Sequence, residues 1–504
     1  MGGAVTETSV RLGQPTGRWV LLTSVLGSSL AMLDATVVNV ALKQIGNDLG
    51  ADLADLQWTL SGYSLTLASF VLLGGALADR FGRRRVFVIG VAWFAVGSAL
   101  CGLAPNVAML IAARAFQGIG GALLTPGSLA IISASFSADD RPRAIGAWSG
   151  FGGIAGAVGP FLGGWLVDVW SWRLIFLVNL PLAAVVIPVA LRHVPESVDP
   201  GARHRLDVPG AVLGVLGLAG LTYASIVSGK EGASVTVAMT GTLGVLALVA
   251  FTLVERWSAN PLVPPRLFAS RQFTVANLFT IAVYAALSVV FFLLVLNLQV
   301  VAGYSPLAAG VSILPVTAVM LALSSRSGAI AQRIGPKLQL TVGPLLAAAG
   351  LALTLQVGPG VSYVTGVLPA VALFGLGLVF FVAPLTATVL AATPPEHVGV
   401  ASAVNNAVAR SAGLLGIALL PALAGLSATD YRNAHAFAAG YRLATLVNVG
   451  LLIAGSLLAA IGIANEIPQT VTEPGRAPEV LRHSYSCPVD GPRLETIQPA
   501  RRDT

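Results

Sequence analysis

GALADRFGRR, residues 75–84, and GAIAQRIGPK, residues 328–337, share Gly, Ala, Ala, Arg and Gly in register, with Asp79 of the first replaced by Gln332 in the second. Each polar loop follows a long apolar run, the second such run of the chain in one case and the tenth in the other. A loop repeated after equivalent runs predicts two six-helix halves built on one plan.

Composition states where those runs reside. Of 504 residues, 55% are hydrophobic and only 10% charged, and the mean hydropathy is +0.82. A soluble domain carries about 25% charged residues because its surface faces water. Most of this surface must therefore face lipid, and 56 glycines suit closely packed membrane helices. A spanning helix needs about 20 apolar residues. Fourteen runs qualify, near 19–42, 56–78, 86–104, 107–133, 144–167, 173–191, 208–228, 235–254, 273–296, 306–324, 339–356, 362–390, 399–424 and 441–463. The expected fold is an all-α membrane protein of fourteen helices. It comprises a cytoplasmic segment 1–18, a six-helix half 19–191, an inserted helix pair 192–272, a second half 273–463 and a disordered cytoplasmic tail 464–504.

Basic residues set the expected orientation. With the N-terminus inside, about 22 Lys and Arg fall in inside segments, about 5 outside and about 2 in the membrane, which places both termini in the cytoplasm. The formal charge of +7 is thereby a topology signal and not a nucleic-acid signal. The first run exceeds twenty residues, too long for a cleaved leader. Two distant cysteines, Cys101 and Cys487, make neither a disulfide framework nor a metal site.

Four features carry chemistry. Asp34, in LDATVVNVAL of span one, is the single carboxylate placed deep within a span. Desolvation disfavours the charged form of a carboxylate, so Asp34 is the candidate for taking up and releasing a proton. Arg114, in LIAARAFQGIGGA of span four, is expensive in a bilayer and calls for a partner or a watery cavity. Counting along helices that run in opposite directions places Asp34 and Arg114 each about 12 Å from the outer face, in one layer where they can couple. Gly75, Asp79, Arg80, Gly82, Arg83 and Arg84 form a loop in which Asp79 pairs with a nearby arginine or a helix N-terminus, a candidate conformational latch. Gly152, Gly156, Gly159 and Gly163, with Pro160 and Gly164, give span five a ridge of small residues against a neighbouring helix. Asn39, Gln117, Asn405 and Arg410 complete the cavity or substrate-path candidates. Each feature also has a plainer reading as an anchor, an ion pair or ordinary packing; their combination is what points to transport.

These residues resemble the major facilitator superfamily. The Gly75–Arg84 loop, the Arg114–Gln117–Gly118 stretch and the Gly156–Gly159–Pro160–Gly163–Gly164 ridge look like three of its signature motifs, the last that of its antiporters. Leu33–Asp34–Ala35–Thr36–Val37–Val38–Asn39–Val40–Ala41–Leu42, and Trp172–Arg173 with Phe176, Asn179 and Pro181, resemble the fourteen-span drug–proton antiporters. Lys43, where that family usually has proline, and Gln332 depart from the pattern. The resemblance implies proton-driven export of amphipathic, often cationic drugs or antibiotics, with Asp34 and Arg114 coupling protons. It also implies a cavity lined by spans 1, 4, 9 and 12.

No GxxxxGK[ST] pattern occurs, since Gly229–Lys230 lacks the upstream glycine and the following Ser or Thr, so a proton gradient is the expected energy source. Five scattered histidines exclude a clustered catalytic or metal site, and neither enzyme activity nor a cofactor is expected. The expected partners are protons, a small-molecule substrate and the bilayer, with the chain acting as a monomer. A proton-coupled importer is the alternative transporter. Arginine far outnumbers lysine, which hints at a GC-rich genome and a bacterium, and the expected location is the bacterial cytoplasmic membrane.

Overall fold

The computed structural model describes residues 10–137, 139–198, 207–258, 261–393, 398–426 and 430–465. The segment predicted to be a disordered tail therefore lies, from residue 466 onward, outside the described residues, as do Arg203 and Arg205. Among the described residues, fourteen helices are long and apolar enough to cross a membrane. They are α1 (Pro15–Leu49), α2 (Leu53–Phe81), α3 (Arg83–Gly102), α4 (Val107–Ser135), α5 (Arg143–Val169), α6 (Leu174–His193), α7 (Val208–Glu231), α8 (Val235–Trp257), α9 (Arg271–Val300), α10 (Pro306–Ala331), α11 (Lys337–Gln356), α12 (Tyr363–Ala391), α13 (Gly399–Leu423) and α14 (Ala434–Gly462). Each coincides with one predicted run.

One boundary matters for function. The first run was expected to close near Leu42, but α1 continues to Leu49, where Gly50 adopts φ 65° and its N–H caps Gly46 O. The polar residues Lys43, Gln44, Asn47 and Asp48 hid this extension from a hydropathy count. Three of them have protein partners: Gln44 donates to Asp48, Trp172 Nε1 donates to Asp48 Oδ2 at 2.9 Å, and Lys43 Nζ donates to Gln299 O. Asp34 thus sits near the middle of α1, not about eight residues from its end.

Helices α1–α6 and α9–α14 pack in the same pairwise order. Within the first set, α2 and α3 lie on α4, α1 lies on α5, and both α1 and α3 meet α6. In the second, α10 and α11 lie on α12, α9 lies on α13, and both α9 and α11 meet α14. The loop repeat shares this equivalence in atomic detail. Gly82 (φ 108°) and Gly335 (φ 84°) hold backbone angles that favour glycine. A Cβ on Gly82 would meet Glu196 Oε1 at 2.7 Å, and one on Gly335 would meet the Asn465 side chain. Glu196 lies three residues beyond the end of α6, and Asn465 three beyond the end of α14. Each side chain then accepts backbone N–H groups at the start of the next helix: Arg84 N at 3.0 Å and Arg85 N at 3.2 Å for Glu196, Lys337 N at 3.2 Å for Asn465. These are helix-start donors with no partner inside their own helix.

Helix α7 packs against both α2 and α13, and α8 packs on α7. Lys230 pairs with Asp52 at 2.9 Å beside the N-terminus of α2. Glycines bring these two spans into close contact: a Cβ on Gly220 would lie 2.9 Å from Gly244 Cα.

Candidate functional site

The two six-helix sets meet at one end, formed by the C-termini of α1, α5 and α9 and the N-termini of α2 and α10. Lys43 Nζ donates to Gln299 O at 2.7 Å, and Gln299 Nε2 returns a bond to Val40 O at 2.9 Å. Gln57 Nε2 donates to Ile417 O at 2.7 Å. Asp168 Oδ2 accepts from Ser305 Oγ at 2.8 Å and Leu307 N at 3.0 Å, so a carboxylate at the end of α5 caps the positive start of α10. Tyr431 Oη and Arg432, ahead of α14, donate to Ala51 O.

The ridge on α5 crosses this seam. A Cβ on Gly159 would collide with Thr36 of α1, and one on Gly163 would meet Val37 at 3.0 Å. On the other side, a Cβ on Gly164 would lie 2.6 Å from Leu307 Cα, and one on Gly310 would collide with Pro160 O. The expected smooth face is therefore engaged over one length only. A Cβ on Gly152 or Gly156 would meet nothing within 4 Å, as at Gly146, Gly150, Gly328 and Gly399. The ridge divides into a packed segment at the seam and a segment that faces open space.

Between these ends lies a cavity of about 280 Å3. It is lined by Ala35, Thr36 and Asn39 of α1, Leu60, Tyr63 and Ser64 of α2, Arg114 of α4, and Gly156 and Pro160 of α5. The second set supplies Ser288, Phe291 and Val295 of α9, Ile313, Leu314 and Thr317 from the α10 region, and Ile417 of α13. Spans 1, 4 and 9 contribute as expected, but α12 supplies none of these residues. It lies behind α10, where a Cβ on Gly375 would be 2.8 Å from Val316 Cα.

Asp34 and Arg114 form a buried ion pair against this cavity, with Arg114 Nη1 donating to Asp34 Oδ2 at 2.5 Å and both side chains at most 1% exposed. Gln117 completes the pair. Its Nε2 donates to Asp34 Oδ1 at 3.0 Å, and its Oε1 accepts from Arg114 Nη1 at 2.7 Å. Gln117 Nε2 also reaches Ser98 Oγ at 2.7 Å, and Asn179 Nδ2 donates to the same hydroxyl at 3.0 Å. Arg114 Nε donates to Thr59 O at 3.2 Å, and its guanidinium stacks over the Tyr63 ring at 4.3 Å. Helices α1, α2 and α4 thus satisfy one carboxylate and one guanidinium, with α3 and α6 holding Gln117 in place through Ser98, which is the condition for burying charges at tolerable cost. Chemically, a proton arriving on Asp34 cancels the charge that holds Arg114, so protonation and the packing of α1 on α4 are coupled.

Of the path candidates, Asn39 lines the cavity. Gln117 is instead part of the ion-pair network. Asn405 is tied to α9, donating to Asn277 Oδ1 at 3.1 Å and Thr280 Oγ1 at 2.8 Å. Arg410 lies on α13, seven residues before the lining residue Ile417. In the loop, Asp79 pairs with Arg83 at 2.8 Å, one turn away in the same segment, and does not reach another helix's N-terminus. Glu196 takes that role, also lying 3.6 Å from Arg84 and 3.8 Å from Arg85. Gly75 meets Pro126 of α4, and the Arg80 guanidinium lies over Phe81. Sequence reasoning missed Glu196, Ser98, Tyr63 and Asp168. A serine or tyrosine in an apolar run carries no signal, and an acid at a helix end reads as solvated.

Fourteen spanning helices, in two equivalently packed sets around a cavity with a buried ion pair, define a multi-pass membrane transporter. The chain belongs to the Major Facilitator Superfamily, whose family model matches residues 24–417. It is 36% identical to the puromycin resistance protein pur8 of Streptomyces alboniger, over 90% of this chain and 93% of that one. It is 33% identical to the tetracenomycin C resistance and export protein of Streptomyces glaucescens, over 94% and 87%. Its fold matches a bacterial homologue of the lysosomal transporter Spinster in an inward-facing, occupied conformation, with TM-score 0.63, 17% identity and coverage of 89% and 97%.

Proposed function

We propose that the protein is a proton-coupled antiporter that exports small amphipathic antibiotics or related toxic compounds across a bacterial cytoplasmic membrane by alternating access. The observation that carries this reading is the Asp34–Arg114–Gln117 network, a titratable group buried against the cavity and wired to a guanidinium. The names of the relatives, resistance and export proteins, support the direction of transport. With both termini cytoplasmic, as the basic loops favour, the seam joining α1, α5, α9 and α10 is the outer gate. The structure then corresponds to the inward-open state, awaiting substrate from the cytoplasm.

The cycle follows from the same residues. Substrate enters from the cytoplasm while Asp34 is ionised and paired. The open length of the α5 ridge at Gly152 and Gly156 closes as the seam at Gly159–Gly164 parts, and the six-helix halves 19–191 and 273–463 rock as bodies. A proton from outside then neutralises Asp34 and loosens Arg114, the gate resets, and release of that proton to the cytoplasm restores the ionised, paired Asp34. One chain suffices, since the cavity is built within a monomer, and the gradient supplies the energy without a cofactor.

The test is an efflux and resistance panel in a pump-deficient host, with and without a proton uncoupler. Asp34→Asn is expected to abolish uncoupler-sensitive efflux while the protein remains in the membrane. Normal gradient-driven efflux by that variant removes Asp34 as the coupling residue.

A further inference from the structure

The charges of the cavity do not balance. Asp34 is committed to Arg114 and Gln117 through both its oxygens. Arg410 has no such partner: among the described residues it makes no ion pair and no hydrogen bond. The sequence of its own half offers little, because the only acidic residues in 273–463 are Glu396 and Asp430, both outside the apolar runs 362–390, 399–424 and 441–463. A partly buried, unpaired guanidinium within a spanning helix is costly and marks a functional path.

Its position relates it to the cavity. Arg410 and Ile417 are seven residues apart, on one face of α13, and Ile417 lines the cavity. Gly413, between them, packs against Ser288, another lining residue. Tyr63 lines the cavity from the opposite half, is only 3% exposed, and its hydroxyl has no hydrogen-bond partner. Tyr63 thus belongs to the cavity wall and Arg410 lies two turns along α13 from that wall, and among the described residues neither the guanidinium nor the hydroxyl has a hydrogen-bond partner.

We propose that Arg410 and the Tyr63 hydroxyl recognise an anionic oxygen of the substrate, so that the preferred cargo is an aromatic or polycyclic amphiphile bearing a carboxylate, phenolate or enolate, not a cation. A guanidinium and a hydroxyl are both donors, and the group that satisfies both is a negatively charged acceptor. A cationic drug would leave the guanidinium unsatisfied and meet net positive charge. The inside-negative membrane potential also favours outward movement of an anion. This proposal rests on the transport reading above and adds the charge of the substrate to it.

The test uses the full chain in proteoliposomes under an imposed proton gradient, with two dyes on a common three-ring scaffold: anionic fluorescein and cationic rhodamine 123. Wild type is expected to favour fluorescein by kcat/KM. Arg410→Gln is expected to lower the fluorescein-to-rhodamine ratio by about tenfold or more, through a higher KM for fluorescein, and Arg410→Lys to retain most of it. Tyr63→Phe, which keeps the ring over Arg114, is expected to lower the ratio by about fivefold. Preference of wild type for rhodamine 123, or an unchanged ratio in Arg410→Gln, overturns the proposal and leaves the transport reading standing. Failure of wild type to move either dye strikes the transport reading itself, and the proposal with it.

Discussion

Asp34 illustrates how a single residue is read at two levels. Its chemistry follows from residue type and from the apolar run around it. Its partners come from α3, α4 and α6, up to 145 positions away in the chain, since Asn179 reaches it through Ser98 and Gln117. Breaking a buried pair from one side leaves a charge uncompensated, at a cost of about 3–5 kcal/mol. Arg114→Ala is accordingly expected to lower the melting temperature of detergent-purified protein sharply, and the double variant Asp34→Asn, Arg114→Ala to recover part of the loss. Equal melting temperatures for the two would mean that the pair is not coupled. Glu196 shows the converse case. Nothing in the stretch around it marks a cap, and only the packing of the α6 exit on the α2–α3 turn gives it two successive backbone donors, Arg84 N and Arg85 N.

At the scale of the element, the α5 ridge was legible as a pattern of small residues but not as two segments with different neighbours. The difference is geometric. At Gly164 the backbone of the α10 region sits within 2.6 Å of where a Cβ would be, while at Gly152 there is no atom within 4 Å. Gly164→Val is therefore expected to disrupt the seam and shift the protein away from the conformation described here. Gly152→Val is expected to fold normally yet turn over slowly, because that surface must pack when the opposite state forms. Thiol accessibility of a cysteine placed at Asn39, measured from each side of the membrane in both backgrounds, distinguishes the two effects. Identical accessibility in the two backgrounds would refute the two-segment account. Helix α1 carries a related lesson: its last turn is polar, so hydropathy ended it early, and protein partners carried it on.

For the whole molecule, the closed end is held by polar contacts that alternating access must break and remake. Asp168 is the most exposed of these ties to substitution, since its carboxylate both binds Ser305 Oγ and caps α10. Asp168→Asn removes the charge but keeps an acceptor, and is expected to weaken the cap by about 0.3–1 kcal/mol, a shift in conformer ratio of about two- to fivefold toward the opposite state. Reagent labelling of Thr36→Cys from the seam side reads this directly, and labelling unaltered by the substitution would exclude Asp168 as a gate tie. The inserted pair α7–α8 bridges both six-helix sets at α2 and α13, so its packing on them must accommodate the same change. The sequence by itself determined the membrane class, the fourteen helices, the duplicated six-helix plan and the residues with chemistry to offer, because those depend on local hydropathy, charge and repetition. Tertiary structure alone decided which end is sealed, that Gln117 belongs to the ion pair and not to the cavity wall, and that Arg410 has no ion-pair or hydrogen-bond partner among the described residues. Each of those is a relation between side chains brought together from different helices, and no local property of the chain encodes the rotation of one helix against another.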